Sequence, residues 1–326
     1  MAFVRGMLGG VQARGDNIAP FLAVAQIPAA LLEQASSRVT GEQYVALFHA
    51  LVDQREDESL GFLSRPLKRG SFALITRSAL GAQDLQTAMK RAAKTMQLLQ
   101  DDLLLELHAE GDRVGLRLRF TNPSVAEPVF LHEMLVRVFW RLLAWFAAGK
   151  LRPIRFDFAF EIPAHAGSYG RIFPGLCEFG HQHTTVWFDA SWLTHRVHWD
   201  EVAVRMFLAD AQSNVILSRT RDDAISNRVR DYLRRTQPSW ADLGVTASAL
   251  HMSAATLQRR LALEGVSFQS LKDELRRDIA IVRLNGSSVS LIELAQELGF
   301  TDSTAFQRAF KSWTGSAPGA YRKAGG

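Results

Sequence analysis

The chain has 326 residues, about twice the ~150 typical of one domain, so two folding units with sizeable cores are expected. Hydrophobic residues make up 47% and charged residues 22%, an ordinary balance that excludes wholesale disorder. The net charge of +5 is unevenly placed, because residues 1–223 carry 24 basic and 24 acidic side chains while residues 224–326 carry 14 and 9. The whole excess lies in the last third.

A single cysteine, Cys177, excludes an intramolecular disulfide framework and a multi-cysteine zinc site. The uncharged run from Asn17 to Leu32 is broken by Pro20 and Pro28 and is too short for a membrane span. Met1 to Gly10 has no continuous apolar stretch and no clear cleavage site, so no secretory signal is expected. A cytoplasmic protein without a membrane partner is the expectation.

Residues 1–223 have mixed character. Helical spacing is expected over Pro28 to Ala35, over Gly41 to Arg55 (Tyr44, Leu47, Phe48, Leu51) and over Ala82 to Leu99 (Leu85, Met89, Ala92, Ala93, Met96). The period then shortens, and two β-like runs, Leu103 to His108 and Val114 to Phe120, flank Gly111-Asp112 as a hairpin. Val129 to Ala148 is apolar almost all round, the pattern of a helix inside a core. Strand character returns in Ile154 to Ile162 and Thr184 to Phe188, and a further helix is expected over Asp200 to Leu217. The charged stretch Ser218 to Asp223 marks the boundary between domains 1–223 and 224–326. The first is read as α+β and the second as all-α with two helix-turn-helix units.

The last third carries helix signals throughout. Ile225 to Arg235 ends before Pro238. Val245 to Met252 is a short helix, and Ser253 caps Ala254 to Glu264, which stops at Gly265. Phe268 to Leu284 spaces Phe268, Leu271, Leu275, Ile279 and Val282 as one apolar stripe. Ser290 and Glu293 form a capping-box pattern opening Leu291 to Leu298, where Gly299 ends the helix. Thr301 or Asp302 then caps Ser303 to Trp313.

Two short-helix, turn, helix units thus stand in tandem, joined by a helix of ~17 residues and about 25 Å. Such a spacer suits two recognition helices entering successive major-groove faces about 34 Å apart. The second helix of the first unit offers Gln258, Arg259 and Arg260; that of the second offers Ser303, Thr304, Gln307, Arg308 and Lys311. These side chains donate to guanine O6 and N7, pair with adenine, or neutralise phosphates. One basic helix alone reads as a solvated face, whereas two matching units read as a DNA-binding pair. Phe306, Phe310 and Trp313 share the opposite, apolar face and are read as core.

Residues 225–323 resemble the DNA-binding domain of the AraC/XylS family of bacterial transcription regulators. The first unit matches through Met252-Ser-Ala-Ala-Thr-Leu-Gln-Arg-Arg-Leu261 and Glu264-Gly265. The second matches through Leu294-Ala-Gln-Glu-Leu-Gly-Phe300, Ala305-Phe-Gln-Arg-Ala-Phe-Lys311, Trp313, Gly315, Pro318 and Tyr321-Arg322. Upstream, Ala29 to Arg119 and Arg155 to Leu193, with Phe156-Asp-Phe-Ala-Phe160 and Pro163-Ala-His165, are similar to the arabinose-binding-type sensor domain of one branch of that family. The resemblance implies DNA-facing positions at Ala255, Gln258 and Arg259 and at Ser303, Thr304, Gln307 and Arg308. Many relatives have Arg at the position of Ala255, which here offers a thymine methyl contact instead of a polar one. His251 stands where a turn glycine is common.

The resemblance further implies an effector-responsive activator of a metabolic or virulence operon. Its expected partners are double-stranded promoter DNA, RNA polymerase, a small-molecule effector and a second copy of the chain, with Asp200 to Leu217 as one contact surface. Arg137 and Arg141 lie one turn apart on the apolar helix. A buried guanidinium is costly unless paired, so they either anchor an effector carboxylate, pair with an internal acid such as Glu133, or reach the surface. His181, His183 and Cys177 lack a fourth ligand, and a structural role is expected for them. No nucleophile elbow, P-loop, H-E-x-x-H or G-x-G-x-x-G occurs, so no catalytic residue, metal or cofactor is assigned. The alternative is a small-molecule-binding or enzymatic domain with a helical tail that binds protein.

Overall fold

In the computed structural model, which describes residues 1–197, 199–209, 211, 215 and 225–322, the helices are α1 (Ala2–Ala13), α2 (Ala19–Val24), α3 (Gly41–Arg55), α4 (Ser71–Ser78), α5 (Leu85–Leu99), α6 (Val129–Phe146), α7 (Glu201–Ala209), α8 (Ile225–Arg235), α9 (Leu243–Ala249), α10 (Ala254–Leu263), α11 (Phe268–Gly286), α12 (Leu291–Glu297) and α13 (Ser303–Thr314). The strands are β1 (Leu103–Glu110), β2 (Arg113–Phe120), β3 (Arg155–Asp157), β4 (Leu176–Glu178) and β5 (Thr184–Asp189). No described helix is long and apolar enough to cross a membrane.

The chain divides into a sheet unit, drawn from residues 2–21 and 45–218, and a helical unit, drawn from residues 1, 22–44 and 219–326. In the sheet unit the expected hairpin forms: β1 and β2 pair antiparallel from Leu103 with Phe120 to Glu110 with Arg113, and Gly111 turns at φ +60°. The sheet order is β1-β2-β5-β3-β4, and only β3 and β4 run parallel. Thr184 to Phe188 of β5 are all buried, so the centre of the sheet is covered on both faces. Helix α6 lies against β2 and β5 and buries twelve residues, as its all-round apolar sequence requires. Strand character over Ile154 to Ile162 resolves into only three paired residues, Arg155–Asp157. From Phe158 the chain leaves the ladder and its ring joins a buried aromatic cluster with Phe156, Tyr169 and Phe173.

Helix α1 was not signalled by composition, because Gly6, Gly9 and Gly10 lower helix propensity. Packing overrides propensity there. A Cβ at Gly6 would lie 2.8 Å from Phe130, and one at Gly10 would lie 2.2 Å from the Leu60 carbonyl oxygen.

The helical unit has no strand among its described residues, and its core joins α8 to α13 through Val229, Leu233, Leu257, Leu261, Leu271, Ile281, Leu294, Phe306 and Phe310. The expected boundary at 223/224 lies outside the described residues. Residues 22–44, expected in the first domain, belong instead with the helical unit. The expected helix over Pro28 to Ala35 is a shorter 3-10 turn, Ala29–Glu33, and its Leu31 is buried in the helical core. The same segment is tied on by hydrogen bonds: Ser37 Oγ to Ser316 Oγ (2.9 Å), Ser316 Oγ to Gln34 Oε1 (2.6 Å) and Asn285 Nδ2 to the Gln26 carbonyl (3.2 Å). Of the expected helix Asp200 to Leu217, Glu201–Ala209 is helical, and most of residues 210–217 lies outside the described residues.

Candidate nucleic-acid interface

Each recognition helix is positioned by caps written into the local sequence. In the first unit, Asp242 caps α9 by accepting the Val245 amide (2.8 Å), and Ser253 Oγ caps α10 by accepting the Thr256 amide (3.2 Å). The intervening turn passes through His251 at φ +59°, a left-handed conformation that explains why glycine suits this position. In the second unit the capping box at α12 is complete, with the Glu293 amide donating to Ser290 Oγ (3.1 Å) and the Ser290 amide to Glu293 Oε2 (3.0 Å). Gly299 turns at φ +72°, and Asp302, rather than Thr301, caps α13 through the Ala305 amide (2.7 Å). These amides hold the Glu293 and Asp302 carboxyls below the usual carboxylate range.

The caps fix which face of each helix is left outward. Leu257 and Leu261 of α10 are buried, while Ala255, Gln258, Arg259 and Arg260 are exposed. On α13, Phe306 and Phe310 are fully buried, while Thr304, Gln307, Arg308 and Lys311 are exposed and Ser303 is half-buried. At about 100° per residue, Thr304, Gln307, Arg308 and Lys311 fall within an arc of roughly 100°, and Ala255, Gln258 and Arg259 do the same on α10. Arg260 lies about 100° round from Arg259, on the flank, and Ser303 lies towards the buried side. Helix α11, 19 residues and about 28 Å long, joins the two units.

Three other arginines of the unit are tied to carboxylates. Arg230 pairs with Glu274 (3.3 Å), Arg277 with Asp278 (2.8 Å) and Arg283 with Glu297 (3.0 Å). Among the described residues, Arg259, Arg260, Arg308 and Lys311 take part in no salt bridge. No carboxylate among the described residues lies within ion-pair distance of them, although Arg308 helps hold the Asp302 carboxyl down, and exposed cations of this kind suit a phosphate or a guanine edge.

Periodicity did not single out Trp240, Arg276 or Phe300, which meet in the same unit. The Arg276 guanidinium lies 4.9 Å from the Trp240 ring centre and 5.0 Å from that of Phe300. Trp240 and Phe300 are 60 positions apart, and only the aromatic residue closing Leu298-Gly-Phe300 hinted at a contact.

In the sheet unit Arg137 and Arg141 are half-buried. Arg137 Nε donates to the Val215 carbonyl (3.2 Å), and the Arg141 guanidinium lies 5.5 Å from the Trp140 ring centre, where burial lowers its pKa. Glu133 is engaged elsewhere, by His165 Nε2 at 2.6 Å and by the Tyr169 hydroxyl. His183 and Cys177 join no metal-ligand set among the described residues. His181 stands with Asp157 and Glu178, and the Arg155 guanidinium occupies that corner, 2.7 Å from Asp157 Oδ1 and 3.6 Å from Glu178 Oε2. With Trp187 Nε1 donating to Asp157 Oδ2 (2.6 Å), it is an ion-pair cluster.

Two capped helix-turn-helix units on one helical framework, each with an exposed basic face, define a DNA-binding transcription regulator. The arabinose-binding domain of AraC transcription regulators, N-terminal, matches residues 15–197, and a helix-turn-helix domain matches residues 246–324. The chain belongs to the AraC family of transcription regulators. An ornithine utilization regulator of Pseudomonas aeruginosa is 25% identical over 325 residues, covering 99% of this chain and 96% of the relative. The transcriptional regulator VirS of Mycobacterium tuberculosis is 24% identical over 322 residues, covering 96% and 92%. The solved structure of the transcriptional regulator CdpR from Pseudomonas aeruginosa covers 94% of this chain and 96% of its own at 20% identity, with a TM-score of 0.35.

Proposed function

We propose that this regulator reads two adjacent stretches of one promoter duplex, with Ala255, Gln258 and Arg259 of α10 in one major-groove segment and Ser303, Thr304, Gln307 and Arg308 of α13 in the next. Arg260, on the flank of its helix, and Lys311 neutralise phosphates. The observation that carries this reading is the exposed polar and basic face that each capped recognition helix turns outward, opposite the buried leucines of α10 and phenylalanines of α13. The full-length protein is used to select duplexes from a random pool and then footprinted on the winner. Two protected stretches about one helical turn apart are expected; a single protected stretch would contradict the reading.

In the same proposal the regulator is a cytoplasmic, effector-responsive activator. A small molecule binds the sheet unit and shifts promoter occupancy and contact with RNA polymerase, to the extent that it binds two states of the protein differently. Assembly as a homodimer, with α7 in the contact, belongs to this reading. The naming of one full-length relative for ornithine utilization supports a metabolic operon as the target. Arg137 and Arg141, both half-buried on α6, are the positions proposed to anchor an effector carboxylate. An Arg141→Ala protein that stays folded should lose the effector response; an unchanged response removes Arg141 from the site.

A further inference from the structure

The two recognition helices act together only if their separation is held. Trp240 lies just ahead of α9, the entry to the first unit, and it is buried. Its indole Nε1 donates to the carbonyl of Glu297, the last residue of α12 in the second unit (2.9 Å). Its own carbonyl accepts from Lys272 Nζ of α11 (2.8 Å). Arg276, one turn further along α11, lies between the Trp240 and Phe300 rings, and its Nε is buried without a hydrogen-bond partner. A guanidinium so placed is held by the two ring faces rather than by a carboxylate. The Phe300 ring in turn packs 5.8 Å from Phe306 and 5.8 Å from Trp313 on the underside of α13. Gly299 admits the arrangement, since a Cβ there would lie 2.9 Å from Trp240 Cδ1 and 3.1 Å from Arg276 Nη2.

One unbroken line of contacts therefore runs from the entry of the first unit, through the linking helix, to the back of the second recognition helix. We infer that Arg276, stacked between Trp240 and Phe300, is a positioning residue that fixes the spacing at which the two recognition helices engage one duplex. It touches no DNA in this role, and it would confer a spacing preference that no base contact supplies. The inference rests on the two-site reading above.

The test uses the full-length protein and the duplex it selects from a random pool, with one base pair inserted or deleted between the two half-sites. Each change rotates one half-site by about 34–36° relative to the other. The wild type should lose roughly tenfold or more, the worth of about one bidentate base contact. Arg276→Met should bind all three spacings within about threefold of one another, while its affinity for a duplex carrying only the second half-site stays within about twofold of wild type. Arg276→Lys, which keeps a cation between the rings, should restore the preference. An Arg276→Met protein as spacing-sensitive as the wild type overturns the inference alone. A fall in single-half-site binding as large as the fall in two-site binding also overturns it, making Arg276 a residue of general stability. A wild type indifferent to spacing overturns the two-site reading and the inference with it.

Discussion

The Tyr321 hydroxyl accepts the Arg38 amide at 2.8 Å and donates to the Arg38 carbonyl oxygen at 2.9 Å, so one phenol satisfies both backbone groups of a residue 283 positions away. The Tyr321 ring is fully buried, edge-on to Phe310 behind the second recognition helix. The reading module is therefore built from the last third of the chain and from a segment near its beginning.

Tyr321→Phe keeps the ring and strands both Arg38 groups, at an expected cost of about 1–3 kcal/mol in the denaturant unfolding of the helical unit. Leu31→Ala, at 1% exposure in the same core, should cost about 2–5 kcal/mol. If neither variant shifts the transition, residues 22–44 do not belong to this unit in solution.

His251 is strained. Relief of a left-handed non-glycine residue is worth about 1–2 kcal/mol, and glycine gives back about 0.4–1 kcal/mol through unfolded-chain entropy. His251→Gly should therefore stabilise the unit by roughly 0.5–1 kcal/mol in urea melts. A loss of stability would mean that the exposed imidazole makes a contribution of its own.

In the sheet unit, His132 is buried between Phe120 and Phe160, with Nδ1 2.7 Å from Thr184 Oγ1 and Nε2 2.7 Å from the Ala126 carbonyl. Burial lowers its pKa below 6.5, outweighing the opposing pull of the Ala126 carbonyl. The unfolded chain then binds the proton more readily than the folded one, so this contribution to stability is complete above about pH 6.5 and is lost as pH falls towards the lower folded pKa. His183, also lowered, acts in the same direction. Thermal melts of the full-length protein between pH 7.5 and 5 should show the decline, and His132→Gln should make it shallower. An unchanged slope in that variant would assign the loss to other groups.

Much of the helical unit was legible because its determinants are local. Ser253, Ser290 with Glu293, Gly265 and Gly299 mark helix ends within a few residues, and the apolar period separates Phe306 and Phe310 from Gln307 and Arg308. What was not legible depends on contacts between distant segments. Nothing near Leu31 announces that it completes a core built mostly after residue 224, and nothing near Trp240 or Phe300 announces that both pack on Arg276. Helix α1 is a further case, since its glycines argue against a helix until Phe130 and Leu60 press against them. In the recognition helices, residue type and period coincide with exposure, and the candidate site was read with the fold.

Lys311 is expected to serve a phosphate. Lys311→Ala should weaken binding to every duplex alike and lower the slope of log affinity against log salt by about 0.9, one counterion's worth. An unchanged slope would remove Lys311 from the backbone contacts.

Arg308 carries the central claim, that the second recognition helix reads bases. The most direct measurement is the affinity of full-length Arg308→Ala for the selected duplex and for single-base variants across the second half-site, at fixed salt. A loss of about 1–3 kcal/mol on the selected sequence, with discrimination relaxed at one base pair and retained elsewhere, is the expected result. An equal loss on every sequence would contradict it and make Arg308 a phosphate contact.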